Sequence, residues 1–232
     1  MPRTAARPWK SRAVAHAFAA RGAHVALASR TASDLDSLAA ELGAAGGDVL
    51  ALATDVADET AVRALFDAVA ARWGRLDAAC NAAGMSGMPT AITAMSIAHT
   101  FDPIIAVNLR GLLLCMRAEI ALMRGGAGAI VNIASTAGVS GWPGLSAYAG
   151  SKHGVIGLTR CAALECAAEG SRIKAVSPGP IENDRIGALS DAARRNSPRG
   201  AAGTGGAPHG GGRRDSVAVL APSGGRMVGG AQ

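Results

Sequence analysis

The segment Ile130-Val131-Asn132-Ile133-Ala134-Ser135 is a short apolar run that ends in a hydroxyl group, and Tyr148-Ala149-Gly150-Ser151-Lys152 follows it. A continuous apolar run of this length is typical of a parallel strand buried on both faces. The carboxyl ends of such strands carry the ligands in open α/β sheets. Tyr148 and Lys152 are four residues apart, so they share one face of a predicted helix. Together the two segments predict a proton-transfer site at the edge of a parallel sheet.

The rest of the chain repeats this alternation of strands and helices. Apolar runs bounded by glycine or polar residues predict strands, and amphipathic segments that open with acidic residues predict helices. Such an order indicates an α/β fold with a doubly wound parallel sheet. The predicted helices are 13–21, 33–43, 58–73, 101–123 and 148–169, and the predicted strands are 24–29, 49–54, 76–81, 129–134 and 173–176.

The chemistry of Tyr148 depends on its neighbours. A free tyrosine titrates near pH 10, and bringing it within reach of neutral pH needs a shift of roughly 3 units, or about 4 kcal/mol. A nearby ammonium such as that of Lys152 favours the phenolate and lowers the pKa. Tyr148 is the only tyrosine in the chain, and taken alone it is more simply a packed ring with a satisfied hydroxyl.

Composition excludes several classes of protein. The 232 residues, 49% of them hydrophobic, suffice for one α/β core. The four cysteines include no Cys-x-x-Cys pair, and the five histidines show no metal-ligand spacing. We therefore expect neither disulfide bonds nor a metal site. This use of cysteine favours a reducing compartment, the cytoplasm. No run approaches the ~20 apolar residues of a membrane span. The basic side chains are concentrated at the two ends: 11 of the 23 basic residues, but only 2 of the 17 acidic ones, lie in residues 1–12 and 185–232. The middle of the chain therefore carries 12 basic and 15 acidic residues. This mildly acidic middle predicts no nucleic-acid partner.

Three further motifs complete a family pattern. They are Asn81-Ala82-Ala83-Gly84, Val107-Asn108-Leu109-Arg110-Gly111 and Ser177-Pro178-Gly179-Pro180. With Ser135, Tyr148 and Lys152 they resemble the classical short-chain dehydrogenases/reductases, which have a Rossmann-like fold. The resemblance implies that Tyr148 is the acid/base, that Ser135 holds the substrate oxygen and that Lys152 binds the nicotinamide ribose. It also implies that Asn108 supports a water-linked proton relay.

The same resemblance indicates where a nicotinamide cofactor would bind. Relatives that select NAD place an acidic residue after their second strand, whereas this chain has Ser29 and Arg30 there. A cation suits a 2′-phosphate, so NADP(H) is preferred and NAD(H) remains possible. The alternative for Arg30 is a solvated loop residue, and for Asp55 a helix cap. The predicted cofactor-binding residues are Ser29, Arg30, Asp55, Val56, Asn81, Ala82, Gly84, Tyr148, Lys152, Pro178, Gly179, Ile181 and Asn183.

Both ends of the chain depart from the family pattern. Residues 1–12 contain no glycine, whereas the family begins with a strand and a glycine-rich turn that holds the pyrophosphate. Residues 188–232 are rich in glycine, arginine and alanine, which predicts a disordered tail. We therefore expect a Rossmann-like domain over residues 13–187 that lacks the family's first strand and its usual last helix and strand. Frameshifts near both ends of the gene would explain the departures.

Two functions follow as hypotheses. The first is an NADP(H)-dependent oxidoreductase that interconverts a small secondary alcohol and a ketone, with Tyr148 as acid/base. The second is a catalytically inactive remnant that acts as a dimerisation partner. In either case the resemblance implies a homodimer or homotetramer formed through helices 101–123 and 148–169. The identity of the substrate stays open, because the substrate-facing loops are the variable parts of such folds.

Overall fold

A computed structural model describes residues 9–123, 125 and 127–179. Predictions for residues 1–8, for Ile181 and Asn183 and for the tail 188–232 lie outside these described residues. The helices are α1 (Trp9–Ala19), α2 (Ala32–Ala44), α3 (Glu59–Trp73), α4 (Asp102–Ile105), α5 (Gly111–Met123) and α6 (Ser146–Glu165), and the strands are β1 (Val25–Ser29), β2 (Val49–Ala53), β3 (Ala78–Asn81), β4 (Ala129–Ile133) and β5 (Arg172–Val176).

The strands form two parallel sheets. In one sheet β1 pairs with β2, from Val25 opposite Val49 to Ser29 opposite Ala53. In the other sheet β4 lies between β3 and β5. Within the described residues no strand joins β1 to β3, so each of these strands is paired along one edge only. The predicted Rossmann-like α/β architecture with parallel strands is confirmed.

The ends of α3 illustrate how local sequence sets the elements. The Asp58 side chain accepts hydrogen bonds from the backbone N–H groups of Thr60 at 2.8 Å and Ala61 at 3.4 Å, which satisfies donors that the first turn leaves unpaired. Gly74 ends the helix in the left-handed region at φ 73°. Helix α3 then returns the chain to the start of β3.

The chain is helical over the whole predicted range 101–123, but two π-helical turns interrupt the α-helical hydrogen-bond pattern. A π-helical turn at Ile97–Phe101 is followed by α4, a second π-helical turn at Ala106–Arg110, and α5. Pro103 lies in the first turn of α4, where it has no backbone N–H to donate to the preceding turn. Single π-helical turns often mark functional sites, and the second one contains Asn108.

The buried apolar side chains form two groups, and β1 contributes to both, with Ala26 in the larger and Val25 and Leu27 in the smaller. The larger group packs α3, α5 and α6 around β3, β4 and β5, with Leu65, Val69 and Ile130 among its most buried members. The smaller group packs α1 and α2 around β1, with Leu42 almost fully buried. The described residues contain no helix whose length and hydropathy would let it cross a membrane. No disulfide bond joins the four cysteines, all of which are described.

Candidate active site

The predicted catalytic residues meet where β4 ends and α6 begins. Ser135 follows β4 and caps a short 3-10 turn, Thr136–Gly138, where its Oγ accepts a hydrogen bond from the Ala137 N–H at 3.2 Å. Gly138 lies directly against α6, because a Cβ atom there would be only 2.8 Å from the carbonyl oxygen of Lys152. Glycine therefore permits the close approach that brings the end of β4 to the first turns of α6.

The side chains of Tyr148 and Ser135 contact each other. Burial raises the pKa of the Tyr148 hydroxyl, and a hydrogen bond with the Ser135 side chain opposes part of that rise. Removal from water disfavours the charged phenolate, which explains the direction. The lowering that we expected from Lys152 is therefore not found for the protein alone.

The position of Lys152 explains why it does not lower the pKa of the Tyr148 hydroxyl as expected. Its Nζ lies 5.9 Å from the centroid of the Tyr148 ring. The ammonium donates a hydrogen bond of 2.6 Å to the carbonyl oxygen of Ile133, the last residue of β4. Lys152 is 5% exposed, so this charge is held largely out of water beside the strand ends. Its position ties α6 to β4 and leaves the cation close to, but not on, the phenol.

Asn108 has a different role from a simple water ligand. Its Oδ1 accepts from the Met85 N–H at 2.8 Å, while its Nδ2 donates to the Met85 carbonyl at 2.8 Å and to the Ser151 Oγ at 2.9 Å. Ser151 in turn donates to the carbonyl oxygen of Tyr148 at 2.7 Å. Both amide hydrogens of Asn108 are used, so its side chain connects the loop after β3 to α6. The side chain therefore has no N–H left to donate to a relay water.

A buried polar network behind the site was not predicted. The Nδ2 of Asn81 donates to Glu119 at 2.9 Å and to the Oδ1 of Asn132 at 3.0 Å. Asn132 continues the network by donating to Thr159 on α6 at 2.9 Å. Burial raises the pKa of Glu119 to about 7, partly opposed by the hydrogen bond from Asn81. An acidic residue within the apolar sequence of α5 was the available signal for this network.

Most of the predicted cofactor residues line one cavity of about 480 Å³. It runs from the carboxyl end of β1, past the N-terminal end of α3, to Lys152 on α6. Gly84 forms part of its wall, and a Cβ atom there would lie 3.2 Å from Asn108 Oδ1 and 3.6 Å from Lys152 Nζ. The predicted residues that line the cavity are Ser29, Arg30, Asp55, Val56, Asn81, Ala82, Gly84, Asn108 and Lys152.

The remaining predicted residues lie around this cavity or outside the described residues. Pro178 accepts a hydrogen bond from the Thr136 N–H at 3.0 Å, which places the chain after β5 beside the turn that follows Ser135. Gly179 follows Pro178, and neither residue lines the cavity. Within the described residues no group of three or more His, Cys, Asp or Glu side chains is arranged to hold a metal ion.

The cavity fits parts of a dinucleotide. Arg30 is exposed at the end of β1, where no acidic side chain of the described residues forms an ion pair with it. At the other end the cavity is lined by the buried Lys152 and by Gly84, whose missing side chain leaves room beside Asn108 Oδ1 and Lys152 Nζ. The glycine-rich turn that would hold a pyrophosphate is not present in residues 9–123. The fit is therefore good at the two ends of the cavity and incomplete between them.

Comparison with known proteins agrees with this geometry. A sequence model of the family described as "short chain dehydrogenase" matches residues 11–193. The chain belongs to this family. It is 40% identical over 173 residues to levodione reductase of Leifsonia aquatica, covering 73% of this chain and 64% of that protein. It is 38% identical over 167 residues to D-threitol dehydrogenase of Mycolicibacterium smegmatis, covering 72% and 64%. This chain therefore spans less than two thirds of the length of these curated relatives.

Solved structures of the family match the fold. The crystal structure of levodione reductase superposes with a TM-score of 0.73 at 35% identity, covering 81% of this chain and 74% of that one. A 3-ketoacyl-ACP reductase from Sinorhizobium meliloti 1021 superposes with a TM-score of 0.71 at 34% identity, covering 74% and 68%. Both are Rossmann-like proteins of the same family, which agrees with the parallel strands and flanking helices of the described residues.

Proposed function

We propose that this short-chain dehydrogenase is an NADP(H)-dependent oxidoreductase that interconverts a secondary alcohol and a ketone. The observation that carries the proposal is the contact between Tyr148 and Ser135 beside a cavity lined by Lys152. The Ser135 hydroxyl after β4 and the Tyr148 hydroxyl in the first turn of α6 would both hydrogen-bond one substrate oxygen. Levodione reductase and D-threitol dehydrogenase, which this chain resembles, are named for reactions of carbonyl and hydroxyl groups.

Each residue would have a separate task. A bound nicotinamide supplies or accepts the hydride at the carbonyl carbon. Tyr148, whose pKa is raised by burial, would donate its proton to the carbonyl oxygen during reduction and take it back during oxidation. Ser135 would hydrogen-bond the same oxygen and hold it beside the phenol. Lys152 would stabilise the phenolate that forms after proton transfer, since its ammonium lies 5.9 Å from the ring.

The preference for NADP(H) follows from charge at the end of β1. Arg30 lines the cavity and is exposed, and a guanidinium can form paired hydrogen bonds to a phosphate. Asp55 lies in the turn after β2, where its Oδ1 accepts a hydrogen bond from the Ala57 N–H at 2.9 Å. Val56 beside it packs against Gly111 and would form the apolar wall for the adenine ring.

Titration of the purified 232-residue chain with NADPH tests this function, with nicotinamide fluorescence as the signal and far-UV circular dichroism as the check on folding. Micromolar binding followed by NADPH oxidation with a panel of ketones would support it. A folded chain that binds neither NADPH nor NADH would overturn it.

The inactive remnant remains the second candidate, favoured by one observation. Strands β1 and β3 lie on either side of the cavity, and within the described residues no strand joins them. In that case the exposed apolar side chains of the long helices, Leu113 on α5 and Leu164 on α6, would belong to an interface between copies of the chain. Analytical ultracentrifugation should then show a dimer or tetramer that binds no nucleotide.

A further inference from the structure

Glu119 on α5 is a buried carboxyl group that takes no part in the proposed proton transfer. It is 1% exposed, yet it lines the same cavity as Asn81 and Lys152. Burial removes a carboxyl group from water, which is costly unless hydrogen bonds compensate. The Oε2 of Glu119 accepts a hydrogen bond of 2.9 Å from the side-chain amide of Asn81, the last residue of β3. This contact joins the buried acid to a residue of the cavity wall.

The orientation of the Asn81 amide follows from the groups behind it. The Val155 carbonyl can only accept, so the Thr159 hydroxyl donates to it at 2.6 Å. The Thr159 oxygen is then an acceptor for the Nδ2 of Asn132 at 2.9 Å, which leaves the Oδ1 of Asn132 for Asn81. That oxygen accepts from the Nδ2 of Asn81 at 3.0 Å. A backbone carbonyl of α6 therefore fixes the direction of every hydrogen bond as far as β3.

Glu119 takes the second hydrogen of the same amide. Asn81 directs one N–H bond to Asn132 and the other to Glu119. An amide has only two N–H bonds, so the polar atom that this side chain can offer to a ligand in the cavity is its carbonyl oxygen. A carbonyl oxygen accepts hydrogen bonds and cannot donate one. It suits a hydroxyl group, whereas the oxygens of a phosphate are themselves acceptors.

We propose that Glu119 is a positioning residue for the cofactor site, which holds Asn81 so that its side-chain carbonyl oxygen accepts a hydrogen bond from a hydroxyl group of a bound dinucleotide. The inference rests on the proposed function and deepens it. Without an acceptor at position 119, one N–H group of Asn81 would lose its partner in a buried site. Rotation of the amide would bring that N–H group to the cavity and take the carbonyl oxygen away from the ligand.

A double-mutant cycle tests whether Glu119 acts through Asn81, with the Kd for NADPH measured by nicotinamide fluorescence. Glu119→Leu, which has no acceptor, should raise this Kd by about 10-fold, and Asn81→Ala should raise it by a similar factor. The double variant should bind as Asn81→Ala does, because no amide then remains to be positioned. A rise of about 100-fold in the double variant, or no rise in Glu119→Leu, would overturn the proposal.

Two further variants separate positioning from charge and from packing. Glu119→Gln keeps an acceptor oxygen without the negative charge, so its Kd for NADPH should stay within about twofold of that of the natural chain. Met123→Leu changes another buried side chain of α5, one that does not line the cavity, and should also leave the Kd unchanged. A loss in Glu119→Gln as large as that in Glu119→Leu would assign the effect to charge. A similar loss in Met123→Leu would assign it to packing, and either result contradicts the proposal.

A measurement without nucleotide separates this inference from the proposed function. Burial raises the pKa of Glu119 to about 7, so its carboxylate forms near neutral pH. The side-chain amide signals of Asn81 in a proton–nitrogen NMR spectrum, identified by their loss in Asn81→Ala, should therefore shift with a midpoint near pH 7. In Glu119→Gln they should not shift, because the group that titrates is absent.

The groups around Glu119 leave this titration readable. Cys115, one turn earlier on α5, stays neutral near pH 7, because burial and the charge of Glu119 raise the pKa of its thiol. The network partners on β3, β4 and α6 are amides and a hydroxyl. The other charged side chains that line the cavity are Arg12, Arg30, Asp34, Asp55 and Lys152. All of these remain in Glu119→Gln, so their effects cancel in the comparison.

The two possible failures are distinguishable. If the folded natural chain binds neither NADPH nor NADH, the proposed function fails, but the NMR titration still shows whether Glu119 holds the amide of Asn81. A shift that occurs only in the natural chain supports this contact. Amide signals that do not move as the pH passes through 7, or that move equally in Glu119→Gln, would overturn the inference whether or not a nucleotide binds.

Discussion

At the scale of single residues, Tyr148 shows how surroundings decide the state of a side chain. Its hydroxyl contacts Ser135, and burial raises its pKa although Lys152 is on the same helix face. The ammonium of Lys152 hydrogen-bonds the Ile133 carbonyl at 2.6 Å, so its charge is partly compensated there. In the protein alone, burial therefore favours the neutral phenol over the phenolate.

Removing that hydroxyl gives a direct prediction. Tyr148→Phe should lower kcat by roughly 100-fold to 10,000-fold, because proton transfer from a positioned acid contributes about that much. The circular dichroism spectrum and the midpoint of thermal unfolding should stay near those of the natural chain, since Tyr148 is only partly buried. Steady-state NADPH oxidation with a reducible ketone measures the effect. Full activity in the variant would exclude Tyr148 as the acid.

Cofactor choice is a second prediction at this scale. Arg30→Ala should raise KM for NADPH by about 10-fold, the value of one charge-assisted contact of about 1.4 kcal/mol, and leave KM for NADH unchanged. Arg63→Ala on α3 is the control, because Arg63 is exposed and does not line the cavity. An equal effect of Arg30→Ala on both cofactors would show that Arg30 does not contact the 2′-phosphate.

At the scale of elements, the stability of α3 depends on Asp58, the residue that precedes its first turn. Asp58→Ala should lower the free energy of unfolding by about 1 kcal/mol, because it removes the cap of two backbone N–H groups. Asp67→Ala removes the same charge from an exposed position within α3 and makes no cap. Urea unfolding of the two variants compares the effects. A loss in Asp67→Ala as large as that in Asp58→Ala would assign the effect to charge.

The buried carboxyl group of α5 predicts a dependence of stability on pH. The pKa of Glu119 is about 7 in the folded chain, above the ordinary value of 4.5, so the folded state binds the proton more tightly. Stability from this group is fully present below pH 4.5 and is lost as pH rises through 7. Glu119→Gln should therefore unfold less readily than the natural chain at pH 8, by at most about 3 kcal/mol, with little difference at pH 4.

The helical stretch before α5 shows what element-level patterns miss. Hydrophobic periodicity over residues 101–123 predicted one helix, but two π-helical turns interrupt it. The second turn contains Asn108, whose side chain is bonded to Met85 and Ser151. These partners are 23 and 43 residues away in sequence, so no local pattern could reveal them. The predicted ends of β1, β2 and α3, which depend on local residues, agree closely with the structure.

At the scale of the whole molecule, the chain consists of two unequal packed regions. Nineteen buried side chains form the larger core around β3, β4 and β5, and six form the smaller one around β1 among the described residues. The amides of β1 and β2 should therefore exchange with deuterium faster than those of β4, since less apolar area is buried there. Hydrogen exchange followed by mass spectrometry measures this difference.

Cofactor binding provides the control for that experiment. The cavity is lined by β1 on one side and by β3 and α6 on the other, so a dinucleotide would contact both regions. Saturating NADPH should slow exchange in β1 and bring it closer to that of β4. Equal exchange in both regions without NADPH would contradict the division into two cores, and no change in β1 would contradict binding across the cavity.

The sequence by itself determined the order of strands and helices, the family and the positions of Ser135, Tyr148 and Lys152, because periodicity and short motifs are local properties. Tertiary structure alone decided the direction of the Tyr148 pKa, since desolvation depends on what packs around the phenol. It also decided that Asn81, Asn132 and Glu119 form one buried network across β3, β4 and α5. Such effects arise from groups that only the folded chain brings together. In its interior of low polarity, each hydrogen bond is electrostatically stronger than in water.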